Sequence, residues 1–591
     1  MLYGGSEANQ KLVLGHPSGL FVLFFTEMWE RFSFYGMRVL LVNFLTMAVI
    51  KSSDVPFPGW GWSAENAGAL FGTYASLLYL TPIVGGIIAD KYIGYRWAVV
   101  IGALIMTMGH ASMAFETELS LYAGLGLLII GTGFFKPNMT SIISEMYAKV
   151  PEKKDGAYTI FYMGVNAGAF FGMMLCGYLA ENLGWKYGFG LAGIFMLLGT
   201  FQFWLAKPLF GSIGTPKRKK NIINTDEEEP KDKTLNPFTN IERLVVGFLV
   251  LVSVTYLIND PISKINGFHI LPEEYMIFSP ELSGPINIIL FALCLFLGLI
   301  VYRMIRYPKI VRNRMIALVI FAIFTVFFWM AFEQGATSLV IFARDFTDRT
   351  LEGSSGVIYK ITNTLLTIAP LGILTWVILK LRKETQEVIK ISNTVLLATF
   401  LGLWGITLWM LQRDFSKDSV EVTVSWFSIL NSFFIIAFAS SFSKWWESKY
   451  NPSSAFKYSF GLILLGVGFG FLAFGSSSIP QGATSASVSI IWLILAYLFH
   501  TLGELCLSPL GLSQVSKLVP PRMIGFMFGV WYLAIAIGNK IAGSLGGEIE
   551  KITSTYDMKT FFLIFTVIPI VSGIIVGALN PLLKKLMHGI D

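Results

Sequence analysis

The chain has 591 residues, of which apolar and aromatic types (A, V, I, L, M, F, W, Y and C) make up 54% and charged types only 14%. Soluble domains carry about 25% charged residues, and a soluble protein of this composition could not cover its own surface. The composition predicts an integral membrane protein in a lipid bilayer and excludes a soluble enzyme, a secreted disulfide-rich protein and a disordered chain. The net charge of +7 does not indicate a nucleic-acid partner, because the basic residues lie in loops on one side.

Sixteen apolar runs are long enough to cross a bilayer, at about 20 residues each. We expect helices, because a helix satisfies its own backbone groups, whereas a membrane β-barrel would need alternating strands of about ten residues. The predicted spans are 19–49, 64–90, 96–115, 119–145, 157–181, 187–207, 241–259, 285–305, 315–343, 357–381, 391–411, 423–444, 456–475, 487–516, 523–546 and 559–584.

Basic residues are distributed unevenly between alternate loops. With a cytoplasmic N-terminus, the cytoplasmic segments hold 30 Lys and Arg residues and the opposite loops hold 9. The positive-inside rule then predicts that both termini are cytoplasmic and that the number of helices is even. The longest polar loop, around Lys207 to Asn240, divides the chain after six spans, which favours a two-bundle transporter.

Seven ionisable residues lie inside the predicted spans with no local reason for their position. Each would cost about 2.5–3.5 kcal/mol if it faced lipid at mid-membrane. We therefore expect them to face one another or a water-filled cavity, the alternative being that they snorkel near helix ends. These residues are Glu27, Glu30, Arg31, Arg38, Lys136, Glu333 and Glu504.

The first span carries four of these charges on one face. At 100° per residue, Glu27, Glu30, Arg31 and Arg38 fall with two aromatic residues within an arc of about 140°, which is typical of a helix lining a polar pathway. Four carboxylates against three cations leave one excess negative charge, which a bound proton or cation would offset. The carboxylates are better candidates for a proton relay than histidine, since the first four spans contain only His110.

No metal centre, disulfide or cleaved signal peptide is expected. The 3 cysteines lie inside apolar runs, and the 5 histidines are dispersed. The first apolar run is too long and too charged for a signal sequence.

Five sequence motifs resemble those of the proton-coupled oligopeptide transporters, the peptide branch of the major facilitator superfamily. EMWERFSFYG at 27–36 resembles that family's ExxERFxYYG. The other four resemble its GxGxxKPN, FYxxINxG, FWxxxEQ and GELxxSP signatures: GTGFFKPN at 131–138, FYMGVNAG at 161–168, FWMAFEQ at 328–334 and GELCLSP at 503–509. Two positions depart from the family pattern: Phe34 replaces a tyrosine, and Ser432 stands where a proline is usual.

The resemblance implies an all-α membrane protein with the major facilitator fold, built from two six-helix bundles plus two additional helix pairs. The second pair is not part of the commonest bacterial pattern, and we expect it to pack outside the bundles. The implied division is an N-terminal bundle at 1–207, a linker and extra pair at 208–314, the first helix of the C-terminal bundle at 315–343, a second inserted pair at 344–422 and the remaining C-terminal bundle at 423–591.

The resemblance also implies residue roles. Glu27, Glu30, Arg31 and Glu333 would couple transport to protons, with Glu333 pairing with Arg38 and Lys136 pairing with Glu504 between the bundles. The peptide carboxylate would bind two cations, Arg38 and Lys136, and the peptide ammonium would bind Glu504, Asn166 and Asn431. Four aromatic residues would surround the peptide side chains, or alternatively pack in the core: Tyr35, Phe34, Tyr79 and Trp531.

The resemblance therefore implies a symporter that imports di- and tripeptides by alternating access, driven by the proton gradient. No Walker-type GxxxxGK[ST] motif or nucleophile–base constellation indicates ATP use or an enzyme. We expect a monomer in a bacterial inner membrane, with no cofactor besides the coupling proton. The alternatives are a transporter of the same fold for another small anion such as nitrate, and a peptide sensor that does not transport.

Overall fold

The computed structural model describes residues 2–51, 56–216, 237–519 and 524–590. Within these ranges, fourteen helical segments are long and apolar enough to cross a membrane. Two further helices complete the predicted sixteen spans: the first helix, which carries the four charges described above, and the helix that contains Arg96 and His110.

The first half of the chain forms six long helices, a short turn of helix and a helix pair. They are α1 (Ser18–Thr46), α2 (Ala64–Ile88), α3 (Tyr95–Met113), α4 (Glu118–Met146), α5 (Lys154–Leu183), α6 (Trp185–Leu205), α7 (Lys207–Phe210), α8 (Asn240–Asn266) and α9 (Gly284–Ile305). Short 3₁₀ helices cover Glu7–Gln10 and Pro151–Lys153, and a π-helical turn covers Ala89–Ile93.

The second half continues with eight long and three short helices. They are α10 (Lys309–Phe332), α11 (Ser338–Asp345), α12 (Gly353–Thr385), α13 (Lys390–Phe415), α14 (Val424–Glu447), α15 (Ser454–Gly475), α16 (Ile491–Leu518), α17 (Ile524–Gly547), α18 (Ile549–Thr555), α19 (Met558–Ala578) and α20 (Asn580–Met587).

Two small antiparallel ladders accompany the helices in the described residues. β1 (Leu12–Val13) pairs with β2 (His16–Pro17) just before α1, and β3 (Thr350–Leu351) pairs with β4 (Val420–Glu421). The second ladder closes the loops at the two ends of the α12–α13 pair. Neither ladder was predicted, because two residues are too few to produce a recognisable alternation of polar and apolar side chains.

Side-chain caps fix several helix starts. Ser63 accepts a hydrogen bond from the Asn66 amide at α2, and Thr117 forms a capping box with Ser120 at α4. Asp557 accepts from the Thr560 amide at 2.6 Å and so caps α19. Each cap satisfies an amide that has no partner within its helix.

Successive long helices run in opposite directions between two faces of the molecule. We call the face with residues 2–17, 89–94 and 579–590 the terminal face, and the face with residues 114–117, 267–283 and 548–557 the far face. α1 to α6 pack together as one bundle, and α10, α14 to α17 and α19 pack together as another. The two bundles meet mainly where α2 contacts α17 and where α5 contacts α14.

The contact between α2 and α17 is a close backbone crossing in the far-face half. Gly68 and Gly72 face Gly543 and Gly547, and a Cβ added to Gly68 would overlap the Gly543 carbonyl oxygen. Small residues of this kind let membrane helices approach closely. The bundles are therefore tightly joined on the far face.

The two inserted pairs pack at the periphery. α8 contacts α2 and α9, while α13 contacts α6 and α12. Ser392 on α13 donates to the Gln202 carbonyl of α6 at 2.7 Å, and Tyr178 on α5 donates to Asp414 of α13 at 3.0 Å. The second pair, although inserted between spans of the C-terminal bundle, packs against the N-terminal bundle.

The predicted span 315–343 is interrupted in the structure. α10 ends at Phe332, a 3₁₀ turn covers Glu333–Ala336, and α11 resumes at Ser338. Gln334 donates to the Met330 carbonyl at 3.2 Å, and Thr337 donates to the Glu333 carbonyl at 3.5 Å, so side chains satisfy carbonyls at the break. Gln334 also donates to the Ala542 carbonyl of α17 at 3.0 Å. The break places Glu333 at a helix end that faces α1. The last predicted span, 559–584, is also shorter, because α19 ends at Ala578.

Candidate functional site

A cavity of about 730 Å³ lies between the bundles. Its walls are formed by α1, α2, α4 and α5 of the first bundle and by α10, α14, α16 and α17 of the second. Its lining continues towards the terminal face through Ile83, Thr140 and Tyr158, whereas the glycine crossing of α2 and α17 closes the far face. The structure thus has a central site that is accessible from the terminal face.

Twelve of the thirteen residues predicted for the site line this cavity. The exception is Trp531, which is only 3% exposed and packs against Gly511 of α16. Its neighbour Tyr532 lines the cavity instead, with its ring 6.3 Å from that of Tyr79. Adjacent residues on a helix point about 100° apart, so Tyr532 can face the cavity while Trp531 faces the core.

α1 presents its charged face to the cavity. The Nε atom of Arg31 lies 2.8 Å from Glu27 Oε1 and 2.9 Å from Glu30 Oε2. Phe34 and Tyr35 continue this face, and the Arg31 guanidinium carbon lies 5.9 Å from the centre of the Phe34 ring. One guanidinium is thus shared by two carboxylates.

The two carboxylates that form ion pairs with Arg31 are not equivalent. Arg31 donates its Nε hydrogen to Glu27, and Glu30 is completely buried. Among the described residues, neither oxygen of Glu30 accepts a hydrogen bond, even though the Arg31 charge is close. The Arg31 charge thus offsets that of Glu30 without a hydrogen bond, and the lone pairs of this buried carboxylate stay available to a further donor.

A second ion pair joins the two bundles beside the cavity. Arg38 of α1 donates to Glu333, which begins the 3₁₀ turn after α10. Glu333 is 3% exposed, and the guanidinium carbon of Arg38 lies 5.8 Å from the ring centres of Tyr35 and Phe71. This pair lies between the cavity and the far face, in agreement with the sequence expectation that Glu333 pairs with Arg38.

Lys136 and Glu504 lie on opposite walls of the cavity and contact different partners. The ammonium of Lys136 lies 4.6 Å from the centre of the Tyr79 ring, and within the described ranges it has no carboxylate within 4.0 Å. Glu504 accepts from Asn431 Nδ2 at 2.8 Å, and Asn431 also donates to Thr501 at 3.1 Å. The expected Lys136–Glu504 pair is therefore not formed in this conformation.

Several residues that line the cavity were not predicted. Tyr162 and Trp329 lie within the quoted motifs, in which only Asn166 and Glu333 were assigned roles. Tyr497 lies seven residues before Glu504, on the same face of α16, so helical periodicity could have identified it. Asn539 lies in no recognised motif. The Asn166 side chain also reaches the cavity and donates to the Tyr162 carbonyl at 3.0 Å.

In the part of the chain that the structure describes, His, Cys, Asp and Glu side chains form no group of three able to hold a metal ion. The three cysteines are free thiols.

An all-helical membrane protein with two bundles and a charged central cavity accessible from one face belongs to the class of secondary transporters. The POT family pattern matches residues 96–229 and 397–564, and the chain belongs to this family. It is 30% identical to the uncharacterized transporter YclF of Bacillus subtilis, covering 98% of this chain and 97% of the relative. It is 27% identical to the di-/tripeptide transporter of Lactococcus lactis subsp. cremoris, covering 98% of both chains.

Solved structures agree with this assignment. A crystal structure of a POT family transporter in complex with 5-aminolevulinic acid superimposes with a TM-score of 0.68, at 25% identity over 98% of this chain and 99% of that one. The peptide transporter POT in complex with sulfate gives a TM-score of 0.67, at 27% identity over 98% of both chains. The protein thus has the major facilitator fold, with two additional helix pairs.

Proposed function

We propose that this protein is a proton-coupled symporter that imports di- and tripeptides by alternating access. The observation that carries the proposal is the separation of charge across the cavity, with Arg38 and Lys136 on the wall of the first bundle and Glu504 on the wall of the second. A short peptide is zwitterionic at neutral pH, so its carboxylate needs cations and its ammonium needs a carboxylate. The Lactococcus relative is named a di-/tripeptide transporter, and one solved POT structure contains a conjugated peptide.

The ammonium end of the peptide would lie at Glu504. Asn431 gives this carboxylate one hydrogen bond and fixes its orientation, while further lone pairs stay free for an ammonium. Asn166 completes this end from the opposite bundle. The carboxylate end would lie at Arg38 and Lys136, so that binding brings groups from both bundles to one ligand.

Side-chain promiscuity follows from the remaining lining. Phe34, Tyr35 and Tyr79 present rings to the cavity, with Tyr532 in the place expected for Trp531. If charge holds the peptide ends and broad aromatic walls surround the side chains, many peptides fit with similar affinity.

Proton coupling would use the carboxylates around α1. Glu27 and Glu30 share Arg31, so a proton on either one changes which carboxylate holds the guanidinium. A proton on Glu333 would remove the charge that holds Arg38, and the far face could then open. Binding, proton transfer and rocking of the bundles are thereby linked through groups that touch one another.

The other candidate functions fit the site less well. A nitrate transporter has no use for Glu504, whose carboxylate repels an anion. A sensor that does not transport has no need of the shared Arg31 network. We further propose a bacterial inner-membrane monomer with the terminal face towards the cytoplasm, since the loops of that face are rich in Lys and Arg. The coupling proton would be its only cofactor.

Uptake of a labelled dipeptide into proteoliposomes tests this function. An inward proton gradient should drive accumulation above the external concentration, and dissipating the gradient with a protonophore should abolish it. Labelled nitrate serves as the second substrate in the same vesicles. Nitrate accumulation without peptide accumulation would reject the proposal in favour of the anion transporter, and peptide binding without any uptake would favour the sensor.

A further inference from the structure

Lys540 is a buried cation that lies outside the cavity and joins three helices. It lies on α17, seven residues before that helix ends at the far face, and is 7% exposed. Its ammonium forms an ion pair with Asp260 of α8 and donates to Thr73 Oγ1 at 3.1 Å and to the Ala69 carbonyl at 3.4 Å, both on α2. One side chain of the C-terminal bundle thus contacts the N-terminal bundle and the inserted pair together.

α8 is fastened to the N-terminal bundle at the same level. Thr73 donates to the Leu257 carbonyl at 2.7 Å, and Lys264 Nζ lies 3.3 Å from Glu65 Oε1 of α2. Lys264 Nζ also lies 3.5 Å from the second oxygen of Asp260. Because these bonds hold α8 on α2, the Asp260–Lys540 pair spans the boundary between the bundles.

Opening the far face must separate α2 from α17 at their glycine crossing. The movement would take Lys540 away from Asp260, Thr73 and Ala69, and an ammonium left in a buried position without its carboxylate is strongly destabilised. The pair therefore stabilises the closed far face. Neither residue lines the cavity, so substrate cannot displace this pair, whereas Arg38 and Glu333 lie within reach of substrate.

We propose that Asp260, carried by the inserted helix α8, is a residue of the far-face gate that pairs with Lys540 only while this face is closed. The inserted pair then has a role in transport: it supplies the charge that sets the balance between the two conformations, independently of the substrate. This inference rests on alternating access as proposed above, but not on which substrate is carried.

Distances between spin labels across the far face test the inference without any transport assay. Glu118 at the start of α4 and Lys551 on α18 are exposed and belong to different bundles, and Cys294 is replaced by Ser because it is the exposed native thiol. Double electron–electron resonance of the Glu118→Cys, Lys551→Cys protein in nanodiscs would give a short distance for the closed face and a longer one for the open face. Asp260→Asn and Lys540→Met should each raise the ratio of long to short distances by about tenfold or more.

The matched control is Glu65→Gln, which removes a carboxylate from the same network without breaking a contact between the bundles and should leave the ratio unchanged. The double variant Asp260→Asn, Lys540→Met should raise the ratio no further than the single variants if the pair itself is responsible, whereas multiplied effects of the two changes would contradict the pairing. Two populations whose ratio is unchanged in both single variants would overturn this inference alone. A single distance in the wild type, whatever the peptide or pH, would overturn alternating access and this inference with it.

Discussion

Replacing Glu504 by Gln should weaken the binding of dipeptides with a free amine far more than that of their N-acetylated counterparts. Glu504 accepts one hydrogen bond from Asn431, and Gln keeps an oxygen of the same size for that bond. The structural change is therefore small, and the loss is that of a charge-assisted bond to the ammonium, about 1.5–3 kcal/mol. This corresponds to an increase in Kd of about 10- to 150-fold for the free-amine peptide.

Isothermal titration calorimetry of purified protein with alanyl-alanine and with N-acetyl-alanyl-alanine measures both affinities under the same conditions. The N-acetylated peptide carries no ammonium, so its Kd should change less than about threefold. Glu548→Gln is the matched control, because it removes the same charge from the far-face loop, where Glu548 pairs with Lys551. Equal weakening of both peptides by Glu504→Gln would refute the placement of the ammonium at this carboxylate.

Three further predictions follow from single contacts. Glu27→Gln and Glu30→Gln should abolish proton-driven accumulation in proteoliposomes but spare part of the peptide counterflow, since Gln cannot titrate; continued accumulation by both monodisperse variants would exclude them as the coupling site. Tyr532→Ala should weaken dipeptide binding several-fold, whereas Trp531→Ala should leave Kd unchanged and lower the Tm, because a buried ring is lost. Hydrogen bonds from Thr560 hold the pKa of the partly exposed Asp557 carboxyl below its usual value. The charged cap therefore stabilises the fold above that usual value, and this charge-dependent contribution is lost as pH falls through the lowered pKa. Asp557→Ala should therefore lower the Tm at pH 7 by an amount equivalent to about 1 kcal/mol, and Asp557→Asn should lower it less. The Ala effect should become smaller as pH falls through the lowered pKa, and an Ala effect that does not change with pH would contradict the assignment.

The charged face of α1 was predictable because its physics is local. Charges inside an apolar run must avoid lipid, and helical periodicity alone places Glu27, Glu30, Arg31 and Arg38 on one side. The spacing of four residues between Glu27 and Arg31 also predicts the observed pair. The partner of Arg38 came from the family resemblance, since Glu333 lies 295 residues away in the chain.

The errors arose where the outcome depends on packing between distant segments. Trp531 and Tyr532 are adjacent aromatic residues, and only the rotation of α17 within its bundle decides which one reaches the cavity. Lys540 lies inside the predicted span 523–546 but was not singled out. Its partner Asp260 lies just beyond the predicted span 241–259, whereas α8 continues to Asn266. The two residues are 280 positions apart, and no sequence pattern connects them.

The second inserted pair also lies beside contacts between distant segments, at the other boundary between the bundles. Glu181 of α5 accepts from the Val424 amide of α14 at 2.9 Å and lies 3.6 Å from Arg349, which precedes the α12–α13 pair. Arg349 also pairs with Glu421, which follows that insertion, at 2.6 Å. Both inserted pairs thus adjoin a charged contact between the bundles on the far face, one beside α2 and α17 and one beside α5 and α14. A helix pair that enters and leaves on one face preserves the topology of the core, and it can therefore add contacts at a bundle boundary without disturbing the residues of the central cavity.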